Sequence, residues 1–268
     1  MTIALVAVLV LLAAVAGALY HQCRRNDGLR AQLDAQAVDL QNLQDACSRL
    51  APVGLVQGLI ADGMKPGTVP AAEHKIVTVL FADLVGYTAL SESMEPSRLA
   101  RVLEGYFQRM SDAIHGHSGH ISTFLGDGIL AYFGAFHPNP WQCDDAVRAA
   151  LAMQSAMAAY NAELGRDGVA PLAIGIGIHR GPGLVGLGGS RERLEYSFVG
   201  TTVNMAARVE ALTRAHEVDI LITEAVREEL DPSIVLEPMP ALPVKGVAEP
   251  VVTYAVRAMS TVLSTASD

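Results

Sequence analysis

Cysteine is scarce in this chain and placed where it can do little together. Cys23, Cys47 and Cys143 are odd in number and far apart, which excludes both a disulfide framework and a zinc-ligating pattern. Cys23 is a candidate for acylation beside a membrane, against the plainer reading of a buried or idle thiol. No basic block offsets the net charge of −9, so no nucleic-acid partner is expected. Positive charge is also missing ahead of the apolar run Ile3 to Tyr20, where a cleaved signal peptide would carry it. Arg24, Arg25 and Arg30 follow the run instead.

What is present begins with that run. As a helix its residues would span about 27 Å, close to the ~30 Å hydrocarbon core. The arginines on its far side place the N-terminus outside and the rest in the cytoplasm by the positive-inside rule. The expectation is a single-pass anchor over residues 1–22, held in an inner or plasma membrane. Leu29, Leu33, Leu40, Leu43, Cys47 and Leu50 then step by three and four along a heptad seam broken only at Gln36. That spacing predicts a short coiled coil within residues 23–62, pairing two parallel chains, against the alternative of one amphipathic helix folded back on its own domain. Residues 63–75, with Pro66, Gly67 and Pro70, read as a linker.

The hydrophobic content of 51% over 268 residues allows one sizeable domain plus this appendage. The domain opens with Ile76 to Ala82, apolar except at Thr78, the pattern of a strand buried on both faces. Asp83 ends it. A carboxylate there is costly unless a cation neutralises it, or unless it caps the following helix. Helical periodicity covers Glu95 to Ile114 and Asp144 to Leu164. Ile121 to Leu125 and Ile129 to Phe133 read as two strands joined through Gly126-Asp127-Gly128, a hairpin signal. Leu172 to Ile178 and Leu184 to Leu187 are again strand-like. The resulting βαββαβ order is the ferredoxin-like α+β arrangement, with helices on one face of an antiparallel sheet. That topology brings Asp83 and Asp127 together at one end of the sheet. Two carboxylates so placed repel unless protons or metal intervene, and Mg²⁺ characteristically takes one or two carboxylates plus substrate phosphates.

Five stretches carry a resemblance: VLFADLVGYT from Val79, FLGDGILAYFG from Phe124, GIGIHRGPGLVG from Gly175, YSFVGTTVNMAARVEAL from Tyr196 and VKGVAEPVVTY from Val244. In order and spacing they resemble the catalytic domain of the class III nucleotidyl cyclases, adenylyl and guanylyl. The domain so implied covers residues 76–258, with 259–268 as a tail. The resemblance implies that Asp83 and Asp127 hold two Mg²⁺ or Mn²⁺ ions per site, with the carbonyl of Leu84 as a further ligand. It makes Asn204 and Arg208 the pair that orients the ribose and stabilises charge on the α-phosphate; four residues apart, they share one helix face. The blander reading is a local cap and a solvated arginine. Lys245 matches the lysine that grips the terminal phosphates, although a lone Lys-Gly is a weak signal. The implied reaction converts ATP to 3′,5′-cyclic AMP and pyrophosphate. In the family the aspartates come from one subunit and the Asn, Arg and Lys from the other, so one chain carrying both sets implies a homodimer.

Departures from the family pattern bear on the substrate. Thr123 stands where adenylyl cyclases usually read adenine with a lysine, and guanylyl cyclases carry an acidic residue there. Ser197, the companion base-reading position, matches a common adenylyl variant. A hydroxyl both donates and accepts, so the two positions leave GTP open beside ATP. Pro182 replaces an arginine that binds phosphate in some members. A degenerate, nucleotide-binding regulatory dimer is the alternative that Thr123 suggests. A diguanylate cyclase or polymerase-palm relative is disfavoured by the lack of a Gly-Gly-Asp/Glu-Glu-Phe hairpin. His115, His117 and His120 read as a helix end, and Met153 with Met157 as core filler.

Overall fold

The computed structural model describes residues 21, 22, 25, 33, 35–39, 41, 72–189, 194–243 and 250–259. The chain divides into two units, Met1–Ala61 and Asp62–Asp268. In the first, the described residues are helical and exposed, Leu33 and Val38 among them. The apolar run 3–20 and most of the heptad leucines lie outside the described residues. Among those described, no helix is long and apolar enough to cross a membrane.

Among its described residues the second unit is built on one mixed sheet of eight strands, with the path β2-β3-β1-β4-β6-β8-β7 and β5 paired to β4. β1 (Glu73–Leu84) runs antiparallel to both β3 (Gly128–Phe133) and β4 (Ile174–Gly189). β2 (His120–Leu125) completes the hairpin with β3. This is the expected βαββαβ core with the first strand central. It is extended by β5 (Leu194–Val199), β6 (Ile220–Thr223), β7 (Ile234–Leu242) and β8 (Val251–Met259). Among the described residues only the β4–β6 pairing is parallel.

β1 alternates between two cores, as a strand buried on both faces must. Leu80, Ala82 and Leu84 join the cluster made with the helices α2 (Pro96–His115) and α3 (Gln142–Arg166). Val77 and Val79 join a second cluster with Leu130, Tyr132, Phe198 and Ala206. The opposite face is therefore covered too, by α4 (Thr201–His216), so helices are not confined to one side. α4 lies close against β4: a Cβ on Gly177 would fall 2.2 Å from the backbone nitrogen of Glu210 and 2.4 Å from the carbonyl of Ala206. Only glycine permits that approach.

Two further sequence expectations change. Glu73 to Lys75 belong to β1 rather than to a linker, because they pair with Gly183 to Val185. The segments around Ile178 and Leu184 form one strand, not two. Pro182 is tolerated inside it because β6 pairs with Ile176–Ile178 and β5 with Leu184–Gly189, so it falls between the two partners. Two of the three histidines mark a helix end: α2 stops at His115 with Gly116 as its cap, and His117 Nδ1 bonds the Ala113 carbonyl at 2.9 Å, whereas His120 begins β2. Met153 and Met157 are core residues, and Cys143 is a buried free thiol. Arg180 pairs with Glu229 at 3.2 Å.

Candidate active site

Asp83 stands at the end of β1, where pairing with β3 has just run out at Ala82–Ile129. Asp127 stands in the tight turn between β2 and β3, which Gly126 opens with a φ of 68°. Because β1 and β3 are neighbours, that turn falls beside Asp83, and the two carboxyl groups are close enough to hydrogen-bond. Gly128 leaves the space between strand and turn open, since a Cβ there would lie 3.3 Å from Asp83 Oδ1. Leu84 is buried and ends the strand, so its backbone belongs to the same corner. Asp83 is not a helix cap. The short helix α1 (Tyr87–Ser93) is capped by Gly86 without any side-chain bond.

Burial first, and the adjacent Asp127 charge second, push the Asp83 carboxyl up to about 6, against the pull of Arg214 and the Leu84 N–H. The pair is thus short of positive charge. Beneath it Tyr106 is fully buried, with no hydrogen-bond partner for its hydroxyl among the described residues. Its phenol is pushed up by burial, then by the charges of Asp83 and Asp127. Every donor at the corner is a hard oxygen. Among the described residues no group of three His, Cys, Asp or Glu gathers to form a closed metal cage. Two carboxylates, room beside them and a deficit of positive charge fit an Mg²⁺ or Mn²⁺ centre completed by phosphate oxygens.

Asn204 and Arg208 do not converge on that corner within the chain. Asn204 is exposed and Arg208 half-buried on α4. Among the described residues no hydrogen bond or ion pair joins either to an aspartate. The cation that does reach Asp83 is Arg214, six residues beyond Arg208, with Nη2 at 3.5 Å from Oδ2. Six residues advance an α-helix by about 600°, which leaves Arg214 roughly 120° around the helix from Arg208. One face of α4 therefore serves its own aspartate, and another carries Asn204 and Arg208 away from it. The sequence pattern marks Asn204 and Arg208 but not Arg214; the four-residue spacing of Glu210 and Arg214 was the available signal.

Thr123 is exposed on β2, its hydroxyl donating to the Phe124 carbonyl at 3.3 Å. Ser197 lies on β5 opposite Gly186. Lys245 lies outside the described residues.

Comparison with known proteins bears on the family and the fold. Residues 69–258 match the family model described as the adenylate and guanylate cyclase catalytic domain. An adenylate cyclase of Anabaena cylindrica is 35% identical over 195 residues, covering 71% of this chain and 38% of that protein. Adenylate cyclase 1 of Rhizobium meliloti is 31% identical over 176 residues, covering 66% of this chain and 26% of that protein. The chain thus spans well under half the length of these relatives. Among solved structures, the guanylyl cyclase Cya2 superposes with a TM-score of 0.68 at 33% identity, covering 73% of this chain and 98% of that one. The adenylyl cyclase CyaB from P. aeruginosa superposes with a TM-score of 0.68 at 30% identity, over 72% and 98%.

Proposed function

The chain belongs to the adenylate and guanylate cyclase catalytic domain family, and from that premise we propose that it is a membrane-anchored adenylate cyclase, converting ATP to 3′,5′-cyclic AMP and pyrophosphate in a homodimer. The convergence of Asp83 and Asp127 carries this reading. They are remote in sequence, in hydrogen-bond contact, and short of positive charge even with Arg214 beside Asp83. These two carboxylates with the Leu84 carbonyl would hold the two divalent ions. Such ions, when bound, lower the pKa of the attacking 3′-hydroxyl and stabilise the departing pyrophosphate.

The chain's own groups supply the rest. Asn204 orients the ribose by hydrogen bonds. Arg208 stabilises charge that develops on the α-phosphate, as a guanidinium does in other phosphoryl transfers. Both project from a face of α4 turned away from the chain's own Asp83, so a second copy must present them. Twofold pairing then yields two equivalent composite sites. Lys245 takes the terminal phosphates. Thr123 and Ser197 meet the base, and the adenylate cyclases among the relatives favour ATP over GTP. Residues 1–22 anchor the chain in an inner or plasma membrane, with the coiled coil supporting the dimer on the cytoplasmic side.

The test uses the purified full-length chain in detergent with Mn²⁺ and either ATP or GTP, followed by chromatographic product analysis. Cyclic AMP from wild type and none from Asp127→Ala is the expected result. Cyclic GMP as the sole product would shift the assignment to guanylate cyclase. No cyclic product from either purine overturns the proposal.

A further inference from the structure

The cation at Asp83 has a brace of its own. Arg214 Nη1 forms an ion pair with Glu210, one turn earlier on α4 and only 5% exposed along its side chain. The same nitrogen lies 3.2 Å from the Glu210 carbonyl and 3.3 Å from Thr213 Oγ1. The other arm of the fork, Nη2, reaches Asp83 Oδ2. What lets a side chain from α4 reach across β4 to β1 is Gly175, directly opposite Asp83 in the strand register. A Cβ on Gly175 would fall 2.5 Å from Thr213 Oγ1, 2.7 Å from Glu210 Oε1 and 2.8 Å from Arg214 Nη1.

We propose that Arg214 is a positioning residue for the metal centre. Its guanidinium, braced by Glu210 through the gap at Gly175, holds one oxygen of Asp83 and leaves the other turned toward Gly128 and Asp127. This rests on the reading of Asp83 as a metal ligand. Two carboxylates in contact rotate apart to relieve repulsion, and a metal must then pay to bring them back. A fork that bonds Oδ2 removes that freedom before any ion arrives. Glu210 cancels the guanidinium charge locally, so the brace orients Asp83 without repelling the incoming cation. Arginine suits the task because its planar fork serves two carboxylates at once, which a lysine ammonium on a flexible stem does less well. Outer groups that orient ligands in this way govern metal affinity rather than the chemical step.

The experiment compares full-length wild type with Arg214→Lys, the paired Arg214→Gln/Glu210→Gln variant, and Gly175→Ala, which displaces the fork without removing it. Arg227→Gln, in a surface pair with Glu224, is the control. Two readouts are taken: Mn²⁺ dependence of turnover, and Mn²⁺ binding by electron paramagnetic resonance in the presence of α,β-methylene-ATP. The three site variants should need about tenfold more Mn²⁺ in both measurements, while turnover at saturating Mn²⁺ stays within about threefold and the control is unchanged. Unaltered Mn²⁺ binding in all three overturns the proposal. So does a fall in thermal stability and turnover with Mn²⁺ dependence unchanged, which marks a merely structural pair. If wild type makes no cyclic nucleotide yet the variants still bind Mn²⁺ more weakly, the cyclase reading fails and this one stands.

Discussion

Two faces of one helix behave differently. The face of α4 bearing Glu210 and Arg214 is tied into its own chain, through contacts that run from buried Glu210 by way of half-exposed Arg214 to Asp83. The face bearing Asn204 and Arg208 makes no such tie to the aspartates among the described residues. The first braces Asp83 within one molecule. The second presents the polar side chains that, in the proposed dimer, would meet a substrate held by another copy's aspartates. A single helix packed hard on β4 at Gly177 would thus serve two sites at once, one by bracing and one by catalysis.

The comparison breaks most sharply at Asp127. Asp127→Ala should lower turnover by about 10³-fold or more, because it removes one of the two carboxylates that would hold the divalent ions. Dimerisation, measured by light scattering, should not change. Next comes Arg208→Ala, with a loss of about 10²–10³-fold in kcat. Mixing it with Asp83→Ala should restore turnover, since one composite site of the mixed dimer then has every part. Failure of the mixture to recover activity would put both faces of α4 at the same site.

Smaller in effect, Gly177→Ala should destabilise the domain by about 1–3 kcal/mol through overpacking, seen in urea unfolding. It should also weaken turnover, because it pushes both faces of α4 off β4 together. Smaller still is the pH response of the metal corner. With Asp83 raised from 3.8 to about 6, the folded chain holds a proton there that the unfolded chain has lost. This group therefore favours the metal-free fold at acid pH, and that contribution disappears as pH rises through about 6. Mn²⁺ competes with the same proton, so its thermal stabilisation should grow between pH 5 and 7. Asp83→Asn should flatten both trends in a differential scanning experiment.

Much of this was legible beforehand where chemistry is local. The run from Ile76 to Ala82 announced a doubly buried strand. The Gly126-Asp127-Gly128 turn announced a hairpin, and the order of elements then placed the two aspartates together. Less legible was anything that depends on two elements touching. The continuity of β4 through Pro182 depends on which strands flank it on each side. The second helical layer under Val77 and Val79 depends on α4 crossing the sheet, which its own modest amphipathicity does not announce. Arg214 looked like any helix residue until Gly175 was found opposite Asp83.

By itself the amino-acid order determined the order of the core elements, the pairing of Asp83 with Asp127 and the family, because hydrophobic period, turn glycines and motif spacing are properties of the chain read along its length. Only the tertiary structure decided which arginine meets Asp83 and which faces away. That choice is made by rotation about a helix axis and by the missing side chain of Gly175, and neither has a meaning until α4 lies across β4.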